Sequence, residues 1–358
     1  MPPMKTAKLV LKDGTILEGK SFGADISTAG EVVFNTGMLG YPESLTDPSY
    51  RGQILVLTYP LVGNYGVGGS CKDDNNIEKR FESKEIQVKG VIVSEYSENY
   101  NHWDAKKSFG EWLKENNIPA ISGIDTRALT QKIREHGTIL GKVLADTDEP
   151  DFYNPDLDNL VDQVSIKEPK TYGTGSKTII AIDCGMKNNI LRCFIDRGLT
   201  VIRVPWDYDF IEAGLKFDGI FISNGPGDPM LLKPLHKIIA KALKLEKPIF
   251  GICLGNQVMA ISAGAKTFKL KFGHRSQNQP CAEEESGHCY ITSQNHGFAI
   301  KESTIPKGWK VSLRNLNDQT VEGIRHETLP YFSSQFHPEH APGPSDTEHF
   351  FDDFIKML

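Results

Sequence analysis

Cys253 stands in the segment Gly251-Ile-Cys253-Leu-Gly255, between a short apolar run and a stretch with helical spacing. A strand that turns sharply into a helix at Gly-x-Cys-x-Gly has the geometry of a nucleophile elbow, with sulfur in place of a serine oxygen. The glycines allow close approach of the backbone because they carry no Cβ. A helix N-terminus favours the thiolate form of a cysteine. The pattern therefore predicts a nucleophilic Cys253; the alternative is a buried structural cysteine in a βα turn.

A histidine and a carboxylate follow another apolar run, in Tyr331-Phe-Ser-Ser-Gln-Phe-His337-Pro-Glu339-His340. A thiol nucleophile needs a base, and that base is usually oriented by a third group. Two residues after His337, the carboxylate of Glu339 can point the same way and orient the imidazole. The order Cys253, His337, Glu339 thus predicts a catalytic triad. A plain polar loop is one alternative, and a metal site at His337 and His340 is another, without support from a Cys pair or an HExxH motif.

A glycine-rich loop, Asn224-Gly225-Pro-Gly227-Asp-Pro229, follows a third apolar run. In an open α/β sheet, ligands bind at the carboxyl ends of the strands. The N–H groups of Gly225 and Gly227 can therefore face an oxyanion or a substrate carboxylate, although a plain β-turn would have the same sequence. No Gly-Lys-Ser/Thr follows the loop, and residues 65–70 match GxGxxG poorly. We predict no nucleotide site in this chain.

Predicted strands and helices alternate in the second half of the sequence, and they must position these residues. The pattern predicts strands at 178–182, 200–204, 219–223 and 248–252 and helices at 187–197 and 235–245. Such alternation is typical of an open, mostly parallel sheet with helices on both faces. The first half predicts a β-rich mixed α/β domain with a hairpin at Asp13-Gly14 and helices at 108–117 and 126–136. We therefore predict an α/β protein with domains at 1–150 and 177–358 and a linker at 151–176, which is rich in Asp, Pro, Asn and Gly.

Composition excludes several classes of protein. The 358 residues contain 39% hydrophobic residues, 40 Lys+Arg and 46 Asp+Glu, so the net charge is −6. This is the composition of a soluble globular chain of two domains, without the basic face that a nucleic-acid partner requires. The sequence has no 18-residue apolar run and no signal-peptide h-region, which predicts a cytoplasmic protein with no membrane partner. The six cysteines form no CxxC pair and predict free thiols; the spacing of Cys281, His288 and Cys289 does not support a metal site.

The three motifs NGPGDP, GICLGNQ and QFHPE, in this order, resemble the class I, triad-type glutamine amidotransferase domain. Segments of the first half, GEVVFNTGMLGYPESLTDPSY, GIDTRALTQKIREHG and VSIKEP, are similar to the small subunit of carbamoyl-phosphate synthetase. The resemblance covers essentially the whole chain. It implies the class I amidotransferase fold for the second half and a partner-docking domain for the first.

The resemblance carries over residue by residue. It implies that Cys253 is the nucleophile, His337 the base and Glu339 the orienting carboxylate, with the Leu254 N–H in the oxyanion hole. The positions implied to hold L-glutamine are Ser49, Gly225, Gly227, Leu254, Gln257, Asn295, Gly297 and Phe298. The sequence departs from the commonest pattern at Asn256, where many relatives have His, and at 272–280, where many bacterial members have a run richer in Gly and His.

The implied function is hydrolysis of glutamine to glutamate and ammonia, which passes to a large subunit that uses ATP and bicarbonate. ATP and a divalent cation are expected on that subunit, and no cofactor or metal in this chain. A small–large heterodimer, or a higher oligomer of such pairs, would serve pyrimidine or arginine synthesis. The end of the chain after a helix at 347–358 is consistent with a stand-alone subunit, and a domain trimmed from a fused enzyme would look the same. The alternatives are another class I amidotransferase and a catalytically silent regulatory or scaffolding subunit, which the intact triad disfavours.

Overall fold

The computed structural model describes residues 5–358, and the chain divides into two compact units. The first comprises the residues up to Lys72 together with Glu78–Leu157. The second comprises Asp73–Ile77 and Asp158–Leu358. Within the described range, no helix combines the length and the apolar character needed to cross a bilayer.

Seven strands of the first unit close into a barrel in the order β1-β2-β8-β6-β4-β3-β9. The barrel strands are β1 (Thr6–Leu11), β2 (Ile16–Ser21), β3 (Thr28–Asn35), β4 (Gln53–Val62), β6 (Gly90–Tyr96), β8 (Ala120–Ser122) and β9 (Ile139–Leu144). The short strands β5 (Val67–Gly68) and β7 (Ala105–Lys107) pair with each other. The helices are α1 (Tyr41–Thr46), α2 (Phe109–Glu115) and α3 (Thr126–His136).

The hairpin and the two helices predicted for the first unit are confirmed, whereas the closure of its sheet into a barrel was not predicted. Strands β1 and β2 form the predicted hairpin. Helix α2 begins with a capping box between Ser108 and Glu111, and α3 begins at the predicted N-cap, Asp125, and ends at Gly137. Closure joins β1 to β9 across the whole domain, and such distant pairing leaves no periodic signal in the sequence.

The second unit is built on a ten-stranded sheet in the order β10-β12-β11-β13-β14-β19-β18-β16-β15-β17. Its strands are β10 (Lys170–Tyr172), β11 (Lys177–Asp183), β12 (Leu199–Pro205), β13 (Gly219–Ile222), β14 (Ile249–Ile252), β15 (Thr267–Glu283), β16 (Cys289–Ile300), β17 (Trp309–Asn315), β18 (Val321–His326) and β19 (Tyr331–Ser334). Its helices are α4 (Leu160–Val164), α5 (Asn188–Asp196), α6 (Lys233–Ala242), α7 (Leu254–Ala263) and α8 (His349–Met357).

Five neighbouring strands of this sheet, β12, β11, β13, β14 and β19, run parallel. Successive strand residues point to opposite faces, so the sheet buries two separate cores. Ile180 and Ile220 pack on the face that α6 and α7 cover, whereas Phe221 and Phe250 pack on the face of α5 and α8. The predicted α/β class, with helices on both faces, is confirmed. The remaining strands are antiparallel, and most of them belong to the long hairpin β15–β16 and its neighbours.

Residues 151–176, which we predicted to be a linker, contain regular structure. Leu160 and Val161 of α4 are buried, and β10 adds an antiparallel edge to β12. The segment from Asp158 onward belongs to the second unit. The sequence conceals this because the apolar pair and the three-residue strand are too short to show a period among polar residues.

Candidate active site

Cys253 occupies the single residue between β14 and α7 and has a strained backbone, with φ 55° and ψ −104°. A non-glycine residue in this region costs on the order of 1–3 kcal/mol, and such strain is concentrated at functional sites. The glycines on either side are required by contact: a Cβ on Gly251 would lie 2.7 Å from the carbonyl carbon of Gly255, and one on Gly255 would lie 2.0 Å from the Ile222 oxygen. The predicted elbow is therefore a real feature of the fold.

His337 reaches the same edge of the sheet because β19 runs parallel to β14 as its neighbour. The Cys253 N–H donates to the Ser334 carbonyl oxygen at 2.8 Å, which ties the elbow to the end of β19. Beyond that end, His337 Nδ1 lies 2.6 Å from Glu339 Oε1. The carboxylate accepts the Nδ1 proton, so Nε2 is the nitrogen left to act as a base. Nε2 is buried without a hydrogen-bond partner among residues 5–358.

The electrostatics of the site favour a protonated imidazole. Burial alone would lower the pKa of His337, but the Glu339 carboxylate and the Cys253 side chain outweigh it and raise the pKa above its ordinary value. Cys253 is itself only 2% exposed. The structure thus brings the three predicted triad residues into one buried, interacting group.

Lys187 is a fourth member of this group, and the sequence analysis missed it. Its Nζ lies 3.0 Å from Glu339 Oε1, with 3% of the lysine side chain and none of the glutamate exposed. Burial raises the pKa of Glu339, but the charges of Lys187 and His337 hold it well below its usual value. The Lys187 N–H donates to Asn224 Oδ1 at 3.2 Å, and its Nζ donates to the His340 carbonyl oxygen. The only signal in the sequence was its place after β11, at the same carboxyl edge.

The residues implied to hold glutamine lie in both units. Gly225 and Gly227 form the loop after β13, where a Cβ on Gly225 would lie 2.1 Å from the Cys184 oxygen and Gly227 has φ 84°. Leu254 is the first residue of α7. Ser49 belongs to the first unit, in a 3₁₀ turn where its N–H donates to Asp47 Oδ1 at 2.9 Å.

Of the other four positions, strand β16 supplies Asn295, Gly297 and Phe298, and helix α7 supplies Gln257. The Cys253 thiol lies 3.6 Å from the Asn295 carbonyl oxygen, and Gln257 Nε2 donates to the Phe298 carbonyl oxygen at 2.8 Å. The elbow and the first turn of α7 are thus bonded directly to the strand that carries these residues. Their roles toward glutamine remain predictions.

Asn256, one of the departures from the commonest pattern, is fully buried in an amide network. Its Nδ2 donates to Gln335 Oε1 at 2.9 Å, and its Oδ1 accepts from the Ser333 hydroxyl at 2.7 Å. Gln257 Nε2 donates to the same Gln335 oxygen at 3.0 Å. Both polar atoms of the Asn256 side chain therefore have hydrogen-bond partners, and these bonds join α7, next to Cys253, to the end of β19.

A cysteine elbow beside a His–Glu pair at the carboxyl edge of a parallel sheet is the arrangement expected of a class I glutamine amidotransferase. Residues 180–357 match the family model described as "Glutamine amidotransferase class-I". Residues 9–143 match "Carbamoyl-phosphate synthase small chain, CPSase domain". The chain belongs to the family of carbamoyl-phosphate synthase small chains, with their class I glutamine amidotransferase domain.

Similar proteins are much longer than this chain. It is 49% identical over 398 residues to the "Multifunctional protein URA2" of Saccharomyces cerevisiae, which covers 100% of the chain and 18% of that protein. It is 48% identical over 358 residues to the human "Carbamoyl-phosphate synthase [ammonia], mitochondrial". That alignment covers 99% of this chain and 24% of the human protein. A solved structure of a glutamine amidotransferase from Thermotoga maritima aligns with a TM-score of 0.37 at 19% identity over 46% of this chain and 77% of that one.

Proposed function

We propose that the chain hydrolyses the side-chain amide of L-glutamine and delivers the ammonia to a carbamoyl-phosphate synthetase partner. The observation that carries the proposal is the strained Cys253 elbow beside the buried His337–Glu339 pair. Family membership supports the substrate, and the charge of Lys187 supports an ionised Glu339.

In the first half-reaction, the Cys253 thiolate attacks the amide carbon of glutamine. The new C–S bond pushes the carbonyl electron pair onto oxygen, and backbone N–H groups at the start of α7, that of Leu254 first, stabilise this oxyanion. Protonated His337 donates its Nε2 proton to the nitrogen, the C–N bond breaks, and ammonia leaves. A γ-glutamyl thioester remains on Cys253, and His337 is now neutral.

In the second half-reaction, neutral His337 takes a proton from water while the water oxygen attacks the thioester carbon. The C–S bond breaks, glutamate leaves, and the thiolate and the imidazolium are restored together. Glu339 keeps the Nδ1 proton in place throughout, so Nε2 is always the nitrogen that exchanges protons. Lys187 holds Glu339 in the charged form that this role requires.

The glutamine site is proposed to consist of the residues that the resemblance names. Gly225 and Gly227 offer N–H groups at the sheet edge, and Gln257 and Phe298 are already joined by a hydrogen bond. The complete proposed set in the second unit is Gly225, Gly227, Leu254, Gln257, Asn295, Gly297 and Phe298, and the role of Ser49 in the first unit stays a prediction from the resemblance.

The consumer of ammonia is proposed to lie outside these 358 residues. Ammonia released at neutral pH is largely protonated, so the product needs a protected route to a site that uses ATP and bicarbonate. The chain spans less than a quarter of the length of the two relatives described above. We propose that the synthetase is either a separate large subunit or part of the same polypeptide, with the barrel unit as its docking domain.

A catalytically silent subunit is the alternative function. It fits the name of the human relative, which specifies ammonia. The retained Cys253, His337 and Glu339, in one buried group, favour the active form for this chain.

The test compares two cysteine variants. Cys253→Ser is expected to abolish glutaminase activity, and in a reconstituted synthetase it is expected to leave ammonia-dependent carbamoyl phosphate synthesis intact. The control, Cys289→Ser, removes an exposed thiol and is expected to keep full activity. An electrophilic glutamine analogue should label Cys253 alone by mass spectrometry. Glutamine turnover by Cys253→Ser, or labelling at another cysteine, would show that the assignment is wrong.

A further inference from the structure

A second group of buried titratable side chains lies on the antiparallel strands of the same unit. His274 of β15 and His296 of β16 are cross-strand partners, and their rings meet edge to face with centroids 4.9 Å apart. Glu322 of β18 is fully buried beside them. One ligand atom from each of the three residues falls within 4.8 Å of the others. Residues from three strands thus converge on one point.

The outer nitrogen of each imidazole is oriented by an acceptor. His274 Nε2 lies 2.9 Å from Asp318 Oδ2, and His296 Nδ1 lies 2.9 Å from the Phe298 carbonyl oxygen. Metal-binding histidines almost always donate their other N–H in this way. An ion bound between the two rings requires each outer nitrogen to carry the proton, so that the inner nitrogens, His274 Nδ1 and His296 Nε2, present lone pairs to it.

The inner atoms lie within 4.8 Å of one another, so each side chain must move inward by less than about 1 Å to reach zinc distances. Glu322 Oε1 lies 3.3 Å from His274 Nδ1 and 3.9 Å from His296 Nε2, and Gln294 Oε1 lies 3.0 Å from both nitrogens. Ligands at zinc distances in a tetrahedron are about 3.3 Å apart. The second oxygen of Glu322, Oε2, is buried with no hydrogen-bond partner within the described part of the chain.

We propose that His274, His296 and Glu322 bind a divalent transition-metal ion, with Zn²⁺ the best match and the Gln294 carbonyl oxygen as fourth ligand. Two imidazoles and a carboxylate suit zinc. The site is structural: it ties β15, β16 and β18 together and fixes His296 between Asn295 and Gly297. It does not depend on the proposed glutaminase activity. Sequence spacing cannot reveal it, because the ligands are 22 and 26 residues apart.

A metal-free network is the competing arrangement. Rotating the Gln294 amide would aim its NH₂ group at both lone pairs, and amide orientation follows from the hydrogen-bond network. The two arrangements differ in one measurable property, the binding of zinc.

The experiment uses the full chain with Cys253→Ser, so that the catalytic thiol cannot bind the ion. After dialysis against a chelator, calorimetry with Zn²⁺ is expected to show one equivalent bound at micromolar or lower Kd. Substitution with Co²⁺ is expected to give visible d–d absorption and two hyperfine-shifted imidazole N–H signals in the NMR spectrum. This measurement needs no ligand variant, so it holds even where a variant fails to fold.

Variants then locate the ion. Glu322→Gln, which preserves shape, and His274→Asn are expected to weaken Zn²⁺ binding by about 100-fold or more, and Asp318→Asn by about 10- to 100-fold. The control, His288→Asn, alters an exposed histidine outside the cluster and is expected to bind as before. Absence of stoichiometric binding below millimolar zinc, or binding that survives Glu322→Gln and His274→Asn in folded protein, would overturn the proposal.

Discussion

The second unit contains two buried histidine–carboxylate clusters whose contacts differ. In the catalytic cluster, one imidazole has Nδ1 on Glu339, and Lys187 compensates the carboxylate. In the other, two imidazoles have their outer nitrogens on Asp318 and a carbonyl oxygen, and their inner nitrogens converge on Glu322. The same residue types are therefore proposed to support proton transfer in one place and metal binding in the other. The difference lies in what the second nitrogen faces: His337 Nε2 has no hydrogen-bond partner among residues 5–358, whereas the inner nitrogens of His274 and His296 face Gln294 and Glu322.

The largest difference between the two clusters is expected when the same isosteric substitution, glutamate to glutamine, is made in each. Glu339→Gln is expected to lower kcat/KM for glutamine by about 10³- to 10⁴-fold, because an amide cannot hold the required tautomer. Glu322→Gln is expected to lower zinc affinity instead, with a far smaller effect on catalysis. Steady-state glutaminase assays on both variants check this, and equal losses would show that the clusters are not distinct in function.

A second change removes the cation that only the catalytic cluster has. Without the charge of Lys187, the pKa of Glu339 rises, so Glu339 protonates at higher pH and the acid limb of kcat/KM moves upward. Lys187→Met is expected to lower kcat on the order of tenfold at neutral pH, equivalent to about 1.4 kcal/mol. Pre-steady-state and pH-rate measurements test this, with Lys187→Arg, which keeps the charge, as the control.

The same substitution has a consequence for stability, with a defined sign. A depressed carboxyl pKa stabilises the fold above the unfolded pKa, and this contribution disappears as pH falls through the folded pKa. Raising the folded pKa of Glu339 therefore brings acid unfolding to higher pH. Urea unfolding at several pH values is expected to show Lys187→Met less stable by about 3–5 kcal/mol at neutral pH, the usual cost of breaking a buried ion pair.

Substitution in the uncharged network of Asn256, Ser333 and Gln335, next to Cys253, is expected to cost less stability than the loss of Lys187. Asn256→Ala leaves the Ser333 hydroxyl and the Gln335 amide short of one bond each. We expect a loss of about 1–3 kcal/mol in the free energy of unfolding and no displacement of the acid limb. Urea titrations test the loss of stability, and the pH profile of kcat/KM tests the acid limb. A shifted pH profile would mean that Asn256 affects the ionisation of the His337–Glu339 pair.

The smallest effect is expected outside both clusters. Ser108→Ala removes the N-cap of α2 in the barrel unit and should cost about 1 kcal/mol of stability. Catalysis and zinc binding are expected to match the parent chain. A change in either would reveal a dependence of the clusters on the barrel unit.

The position of the candidate catalytic motifs at one sheet edge could be predicted because each follows a strand directly. Cys253 and His337 stand just beyond β14 and β19, so parallel pairing alone brings them to one edge. Lys187 carries no motif, and only the fold shows that it points at Glu339. The cluster of His274, His296 and Glu322 depends on cross-strand register, and closure of the barrel depends on pairing of distant strands; neither leaves a local pattern.

The close approach of Gly255 to the Ile222 oxygen bears on how this chain can evolve. At that point backbone approaches backbone, so a Cβ added at position 255 would meet main-chain atoms of Ile222. Apolar substitutions elsewhere in the two cores meet side chains, which can repack at some cost in stability. Position 255, in contrast, admits no side chain. We expect a library screened for glutamine use to drift freely at positions such as Ile220 or Val258 and to return glycine at 255 in every active clone.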